Sequence, residues 1–316
     1  MIVVVSHEQD DHAHAVLGAL ARRGRRAELV DTAAYPTALA ISQRFGPAGS
    51  SSTARTATGG VIDLDRVGAL WWRRPQPYTL HDELDPGVAA FTYSECSEAV
   101  AGLWASLDAK WVNPPALDET AAHKPYQLKV ATDLGILLPR TLITNDPAAA
   151  RAFAGEMGAG RTIYKTFLAT EEHWRETRVL RQDELALLDH LALAPAIFQE
   201  YIPAIADLRV TLVGPEIFAT AIVPAPGGYQ VDYRMDLDGA RYEATTLDAT
   251  TEKGLVALME RLGLVYGAID LRRTPDGEEV FLEVNPAGEF RFIEERTGQP
   301  ITGAVASLLA DLDQEG

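Results

Sequence analysis

The residues best suited to chemistry lie at positions 268–285, where the chain reads AIDLRRTPDGEEVFLEVN. A Pro-Asp-Gly turn signal between two apolar runs predicts a β-hairpin, because Asp-Gly is a favoured two-residue hairpin loop. With that loop, Asp270 lies directly opposite Glu283. Side chains alternate along a strand, so Phe281 and Asn285 are predicted to share a face with Glu283.

Two carboxylates that face each other across a β-ladder repel, and a fold tolerates them when a cation lies between them. The oxygens of Asp270, Glu283 and Asn285 are hard ligands, which suit Mg²⁺ held partly by phosphates. The alternative is a solvated edge hairpin, and a one-residue bulge would break the pairing. The hairpin by itself leaves both interpretations open.

A second group of potential metal ligands follows the first predicted strand, and it consists of His7, Glu8, Asp10, Asp11, His12 and His14. Their spacing matches no zinc pattern. We therefore expect these to be solvated loop residues, with Asp10 or Asp11 capping the helix that follows.

Further charged and polar residues are predicted at the ends of elements downstream. Lys124 opens a helix, and Lys165 ends a strand. The strand before Asp207 and Arg209 ends in Gln199, Glu200, Tyr201 and Ile202. Taken singly these are weak signals, since a lysine at a strand end is most often solvated.

In this order the residues resemble the ATP-grasp fold, in which two α+β subdomains clasp ATP, and the match spans residues 124–301. The resemblance is closer still to one branch, the graspetide or microviridin-type maturases of ribosomally made peptides. This closer resemblance rests on five sequence motifs: WWRRP at 71–75, WVNPP at 111–115, KPYQL at 124–128, PRTLITNDP at 139–147 and VNPAGEF at 284–290.

Such enzymes phosphorylate an Asp or Glu side chain of a precursor peptide, and a Ser or Thr hydroxyl or a Lys amine of the same peptide then displaces phosphate. A carboxylate is a poor acyl donor at neutral pH, and phosphoryl transfer supplies the leaving group. The resemblance implies ATP and Mg²⁺ as cofactors, a homodimer, and a ribosomal precursor peptide with a leader and an acidic, hydroxyl-rich core.

The resemblance also implies roles for individual residues in nucleotide binding. Lys124 and Lys165 are expected to contact the ATP phosphates, and Lys165 also to reach the adenine edge. The strand end at 199–202 is expected to bind adenine, with the backbone of 200–202 as the hinge. Asp207 is expected to contact the ribose or the hinge.

The remaining roles concern the transferred group. Asp270, Glu283 and Asn285 are expected to hold Mg²⁺ ions that bridge the phosphates. Arg209 is expected near the γ-phosphate, where it stabilises the acyl phosphate, and Arg234 is expected to orient the substrate carboxylate. The structural alternatives are an ion pair of Arg209 with Asp207, and a solvated Arg234.

Residues 166–174, which read TFLATEEHW, depart from the family pattern. Many ATP-grasp enzymes have a glycine-rich loop over the phosphates at this point. Without glycine, a backbone cradle that approaches the phosphates closely is not expected. We expect a mobile flap instead.

The net charge of -17 at pH 7 argues against non-specific binding to nucleic acid or anionic membranes, because both need a basic surface. An acidic substrate needs a locally basic site, for example at Arg73 and Arg74. Cys96 is the only cysteine, so a reducing cytosol fits. With no signal peptide and no apolar run of about eighteen residues, a soluble, cytoplasmic protein is expected.

The elements that must position these residues predict an α/β protein that begins with a Rossmann-like unit. The resemblance implies that this unit is an N-terminal pre-ATP-grasp domain and that an α+β ATP-grasp unit follows it. The opening strand–helix–strand lacks G-x-G-x-x-G and predicts no dinucleotide site. We expect the N-terminal domain at 1–115, a middle ATP-grasp subdomain at 116–200 and a C-terminal subdomain at 201–316.

The preferred hypothesis is an ATP-dependent ligase that forms macrolactone or macrolactam links within a precursor peptide. One alternative is an intermolecular ATP-grasp ligase of the glutamate-ligase type, which adds a free amino acid to a peptide or small acid. A second is a catalytically idle nucleotide-binding module, which the intact lysines and the Asp-Glu-Asn set disfavour.

Overall fold

The computed structural model describes residues 1–167, 177–225, 227, 231, 235 and 238–315. Most of the predicted flap, and Arg234, lie outside these ranges. Within them, none of the helices combines the length and the apolar character that crossing a bilayer requires.

The N-terminal part begins with a strand–helix–strand unit, as predicted. Its elements are β1 (Ile2–Val5), α1 (Asp11–Arg22), β2 (Ala27–Val30), β3 (Leu39–Gly46), β4 (Gly49–Thr56), β5 (Val61–Asp63), β6 (Ala69–Trp72), α2 (Pro86–Ser106) and β7 (Lys110–Val112). Four strands form a parallel sheet in the order β2-β1-β6-β7, and β3, β4 and β5 form a small antiparallel sheet. The Rossmann-like prediction is thereby confirmed.

The middle part contains α3 (Pro115–Ala122), α4 (Lys124–Asp133), β8 (Thr141–Thr144), α5 (Pro147–Met157), β9 (Thr162–Lys165), β10 (Arg178–Val179) and β11 (Ala196–Glu200). Its four strands pair antiparallel in the order β10-β9-β11-β8. α5 packs on one face of this sheet, where Ala150, Phe198 and Tyr164 belong to one apolar cluster.

The C-terminal part contains β12 (Ala206–Val213), β13 (Glu216–Val223), β14 (Arg241–Thr245), α6 (Ala249–Leu262), β15 (Tyr266–Arg273), β16 (Glu279–Asn285), α7 (Arg291–Thr297) and α8 (Ile301–Glu315). Its five strands are antiparallel in the order β14-β13-β12-β15-β16. Helices α4 and α6 cover one face, and α8 fills the space between the other face and the N-terminal domain. The predicted fold class is confirmed, and the boundaries at 115 and 200 remain predictions.

The predicted pairing of Asp270 with Glu283 is present, although the predicted two-residue loop is wrong. The Thr274 N–H donates to the Glu278 carbonyl at 2.9 Å, so the loop holds three residues. A bulge at Leu282 then restores the pairing, because Leu271 pairs with Phe281 while Asp270 still pairs with Glu283.

The same bulge moves Phe281 to the opposite face from Glu283, which corrects the predicted alternation. Phe281 is fully buried in the cluster formed by α4, α6 and the C-terminal sheet, together with Val284. The bulge therefore lets one short strand place an aromatic ring in the core and a carboxylate on the polar face.

Asn113 joins the N-terminal domain to the C-terminal sheet. It follows β7, and its Oδ1 accepts the backbone N–H groups of Val265 at 2.9 Å and Tyr266 at 3.0 Å. Its Nδ2 donates to the carbonyls of Tyr266 at 2.9 Å and Pro286 at 3.2 Å. A fully buried amide can be tolerated here because its donors and acceptors are paired.

Asp118 in α3 lies beside this joint, with Oδ2 3.4 Å from Asn113 Nδ2. Burial raises the pKa of Asp118 from 3.8 to about 6, and the hydrogen bond from Asn113 offsets only part of that shift. The folded carboxyl therefore binds its proton more tightly than the unfolded one. Its contribution to stability is present below pH 3.8 and is lost as the pH rises to about 6.

We expect Asp118→Asn to raise the free energy of unfolding at pH 7.5, by up to about 3 kcal/mol, because the neutral amide needs no charge to be buried. The difference from wild type should shrink as the pH falls from 6 to 4. Urea denaturation across this pH range measures it. Glu119→Gln, at the exposed neighbouring position, is the control. A difference that does not vary with pH would contradict the assignment.

Candidate active site

Three of the predicted site residues form a row across the polar face of the C-terminal sheet. Arg209 on β12 pairs in register with Asp270 on β15, which pairs with Glu283 on β16. Arg209 Nη1 donates to Asp270 Oδ1 at 2.8 Å and to Oδ2 at 3.0 Å. Arg209 Nη2 donates to the Glu289 carbonyl at 3.0 Å.

Lys124 completes the row from outside the sheet. It is the first residue of α4, and its Nζ contacts the carboxylate of Glu283. The side chains of Lys124 and Glu283 are each 22% exposed, so this contact is only partly screened by water. Two cations and two anions therefore alternate with balanced charge, and the repulsion predicted between the facing carboxylates is already compensated by protein groups.

Gln127, one helical turn after Lys124, holds the open edge of β16. Its Oε1 accepts the Val284 N–H at 3.0 Å, and its Nε2 donates to the Val284 carbonyl at 2.8 Å. The side chain thus imitates a neighbouring strand. This contact fixes the backbone of Val284, which lies between Glu283 and Asn285, and no sequence pattern indicated it.

Asn285 ends β16 and is exposed. Its Oδ1 accepts the Ala287 N–H at 3.0 Å, which fixes the orientation of the amide. A second lone pair remains on that oxygen for a metal. Together with the oxygens of Asp270 and Glu283, this donor set matches the hard ligands that Mg²⁺ prefers.

The predicted adenine hinge follows β11. The Glu200 N–H donates to the Arg140 carbonyl and the Tyr201 N–H to the Arg161 carbonyl, both at 2.8 Å. Among the described residues none accepts from the Ile202 N–H, which leaves one backbone donor for a base. Of the three backbone N–H groups at the predicted hinge, those of Glu200 and Tyr201 are therefore already bonded within the protein.

Asp207 lies beside this hinge and not against Arg209. Its Oδ1 lies 3.2 Å from Nε of Arg272, and the Arg272 guanidinium lies 5.6 Å from the centre of the Tyr201 ring. The suggested ion pair of Arg209 with Asp207 is therefore wrong, since each residue pairs with its own neighbour on β15. Asp207 contacts the hinge through Arg272.

Lys165 and Gln199 share one face of the middle sheet, opposite the face that α5 covers. Lys165 pairs with Ile197, and Gln199 pairs with Ile163. Gln199 Nε2 donates to Thr141 Oγ1 at 3.0 Å. Its Oε1 is buried, and none of the described residues donates a hydrogen bond to it. An orphaned buried acceptor of this kind fits a base with an exocyclic amine.

Two sequence expectations need correction in the N-terminal domain. Asp10 caps α1 as predicted, but neither Asp10 nor His12 is solvated, because both are at most 5% exposed. The suggested basic site is not an open patch either. Arg73 is 1% exposed, and Arg74 Nη2 lies 2.9 Å from Oε1 of Glu289.

The N-terminal domain matches a known family. A family model described as the MvdD pre-ATP grasp domain covers residues 1–119. The whole chain is similar to the macrocyclase MdnC from Microcystis aeruginosa, solved with its precursor peptide MdnA. The two share 31% identity over 98% of this chain and 99% of MdnC, with a TM-score of 0.87. A comparison with curated proteins found no match.

Two further similar structures were solved with bound nucleotide, and one of them also with Mg. A RiPP-associated ATP-grasp ligase from Chryseobacterium gregarium, solved with ADP and a leader and core peptide, is 26% identical over 98% of this chain and 96% of that chain, with a TM-score of 0.89. The ligase PsnB, solved with a phosphomimetic precursor, Mg and ADP, is 26% identical over 98% of both chains, with a TM-score of 0.79.

The fold and the comparisons define this protein as an ATP-grasp ligase. Within that class, the chain belongs to the family of ribosomal-peptide macrocyclases that includes MdnC. The resemblance seen in the sequence is confirmed over nearly the full length.

The pair of Arg209 with Asp270 should contribute to stability without any ligand, because both side chains are largely buried, at 7% and 17% exposure. In a double-mutant cycle with Arg209→Met and Asp270→Asn, we expect a favourable coupling of roughly 1–3 kcal/mol in Mg²⁺-free buffer. Denaturant titration of the four proteins measures it. The exposed pair of Arg140 with Glu156 is the control and should show almost none. Equal couplings for the two pairs would refute the expectation.

Proposed function

We propose that this chain is an ATP- and Mg²⁺-dependent ligase that forms ester or amide links between side chains of one ribosomally made precursor peptide. The row of Arg209, Asp270, Glu283 and Lys124 carries the proposal, because it combines a carboxylate pair for a metal with flanking cations for phosphates. It occurs in a chain that matches MdnC over its full length.

For nucleotide binding, we assign the phosphates to Lys124 and Lys165. Two observations support an adenine site at the end of β11: the orphaned Oε1 of Gln199 and the available N–H of Ile202. Glu200 and Tyr201 hold this strand end through their backbone bonds. We assign Asp207 to support of the hinge through Arg272, which is one of its two predicted roles, and the contact with ribose stays a prediction.

For the metal, we assign Asp270, Glu283 and Asn285 as ligands. Mg²⁺ bound there supplies charge neutralisation of the phosphates during transfer. Without the metal, Arg209 and Lys124 neutralise the two acids. Lys124 and Arg209 would therefore turn from the carboxylates toward the phosphates once the metal provides the compensating charge.

The chemistry follows from positioning. A carboxylate oxygen of the peptide attacks the γ-phosphorus of ATP, the bond to the β–γ bridging oxygen breaks, and ADP leaves. A hydroxyl or amine of the same peptide then attacks the acyl carbon, loses its proton and expels phosphate. Arg209 stabilises the charge on the acyl phosphate through charge-assisted hydrogen bonds. Arg234, outside the described residues, is proposed to orient the substrate carboxylate.

The partner is proposed to be a precursor peptide with a leader and a core rich in carboxylates and hydroxyls. We propose a homodimer and a cytoplasmic location, and no role in binding nucleic acid or membranes. The net charge of -17 supports the last point, because a basic surface is needed for both.

We expect incubation with a cognate precursor, ATP and Mg²⁺ to remove the mass of one water per ring formed and to release ADP. The reason is that an acyl phosphate forms by γ-phosphoryl transfer. Mass spectrometry of the peptide and chromatography of the nucleotides measure both products. Release of AMP and pyrophosphate would exclude the acyl-phosphate route, and consumption of an added free amino acid would favour an intermolecular ligase.

Glu283→Gln should abolish this dehydration, because the proposed metal loses an anionic ligand. Stability in metal-free buffer should not rise, since Glu283 is already neutralised by Lys124. Glu278→Gln is the matched control on the same hairpin, where the side chain is exposed at the turn. Turnover at the wild-type rate in Glu283→Gln would remove this residue from the metal site.

A further inference from the structure

The six residues that follow β16, positions 286–291, form a segment that is held by buried side chains from the N-terminal domain. Arg73, which directly follows β6, contacts the Ala287 carbonyl through Nη1 and donates from the same atom to the Gly288 carbonyl at 3.1 Å. Arg73 is 1% exposed, so these bonds are shielded from water. Its Nε lies 3.3 Å from Oδ2 of Asp10.

Two more contacts from the N-terminal domain hold the ends of the 286–291 segment. His12 Nε2 accepts the backbone N–H groups of Phe290 at 3.1 Å and Arg291 at 3.2 Å. Asn113 binds the carbonyl of Pro286. An isolated surface loop would have water as its partner, whereas this segment has protein partners along its length.

The other side of the segment touches the candidate active site. Tyr266 Oη donates to the Gly288 carbonyl at 2.6 Å, and burial raises the pKa of Tyr266 to about 12, so the hydroxyl keeps its proton. A Cβ atom on Gly288 would lie 2.3 Å from Cβ of Ala268 and 3.1 Å from Nη2 of Arg209. Gly288 is therefore required for the backbone to approach the row this closely.

Two active-site side chains take their positions from this segment. The amide of Asn285 is oriented by the Ala287 N–H at 3.0 Å, and the guanidinium of Arg209 is held by the Glu289 carbonyl at 3.0 Å. Between the Ala287 N–H and the Glu289 carbonyl lie the two carbonyls that Arg73 binds, those of Ala287 and Gly288. A shift of the 287–289 backbone would therefore move the proposed metal ligand Asn285 and the cation Arg209 together.

We propose that Arg73 is a positioning residue for the metal site, and that the N-terminal domain thereby fixes the active-site geometry of the ATP-grasp unit. The proposal rests on the metal site proposed above. Groups that orient metal ligands typically change metal affinity or activity about 10- to 100-fold when they are replaced. Arg73 acts here through the carbonyls of Ala287 and Gly288, and the proposal assigns it no contact with the reacting atoms.

The test is the dependence of ADP affinity on Mg²⁺, measured by calorimetry for wild type, Arg73→Met and Arg23→Met. Arg23 is the matched control, because it also joins the N-terminal domain to a backbone carbonyl of the C-terminal part, that of Gly303 at 3.2 Å. We expect Arg73→Met to weaken ADP binding about 10-fold or more with Mg²⁺ present and to leave it unchanged without Mg²⁺. Arg23→Met should match wild type in both conditions.

The outcomes separate this proposal from the proposed function. Wild-type ADP affinity that does not respond to Mg²⁺ would overturn the metal site, and the positioning role with it. A response that is retained in full by Arg73→Met would overturn the positioning role alone. A loss of ADP affinity that is equal with and without Mg²⁺ would show a merely structural role.

Tyr266→Phe provides a second variant if Arg73→Met does not fold. It keeps the packing of the ring and removes only the hydrogen bond to the Gly288 carbonyl. We expect the same selective loss of Mg²⁺-dependent ADP affinity, smaller than for Arg73→Met. Unchanged Mg²⁺ dependence in a folded Tyr266→Phe would count against the proposal.

Discussion

The placement of two carboxylates on neighbouring strands is the constraint on which the rest of the structure depends. Asp270 and Glu283 face each other in register, and neither can be left uncompensated at this degree of burial. The fold solves this with one cation from the adjacent strand β12 and one from the start of α4. Four charges from distant parts of the sequence thereby become one row, and this is the row to which we assign the metal and the phosphates.

This row needs a rigid frame, and buried polar side chains supply it. Gln127 fixes the open edge of β16, and Asn113 ties the same sheet to the N-terminal domain. Buried amides are costly unless their hydrogen bonds are made, so these two contacts form only when their partners are correctly placed. The contacts of Gln127 and Asn113 thus make the geometry of the row depend on how the domains pack against each other.

The hairpin shows how a correct conclusion can rest on a wrong intermediate step. The two-residue loop inferred from Asp-Gly is a three-residue loop, and the bulge at Leu282 compensates for the additional residue. The predicted pairing of Asp270 with Glu283 is nevertheless correct. The longer loop shifts the register by one residue, and the bulge shifts it back by one residue. The face predicted for Phe281 is wrong, because the bulge at Leu282 reverses which face of the sheet the side chains point to on either side of it.

The sequence by itself determined which residue types occur and in what order, and therefore the α/β class, the hairpin and the family motifs. It could not decide partners, because those depend on registers between segments far apart in the chain. Asp207 and Arg209 are two positions apart, yet each pairs with its own neighbour on β15, Arg272 or Asp270. The WWRRP motif that contains Arg73 could be recognised in the sequence. That Arg73 is buried against the backbone carbonyls that follow β16 is decided only by the tertiary structure. The reason is that burial depends on how distant elements pack and not on a local sequence pattern.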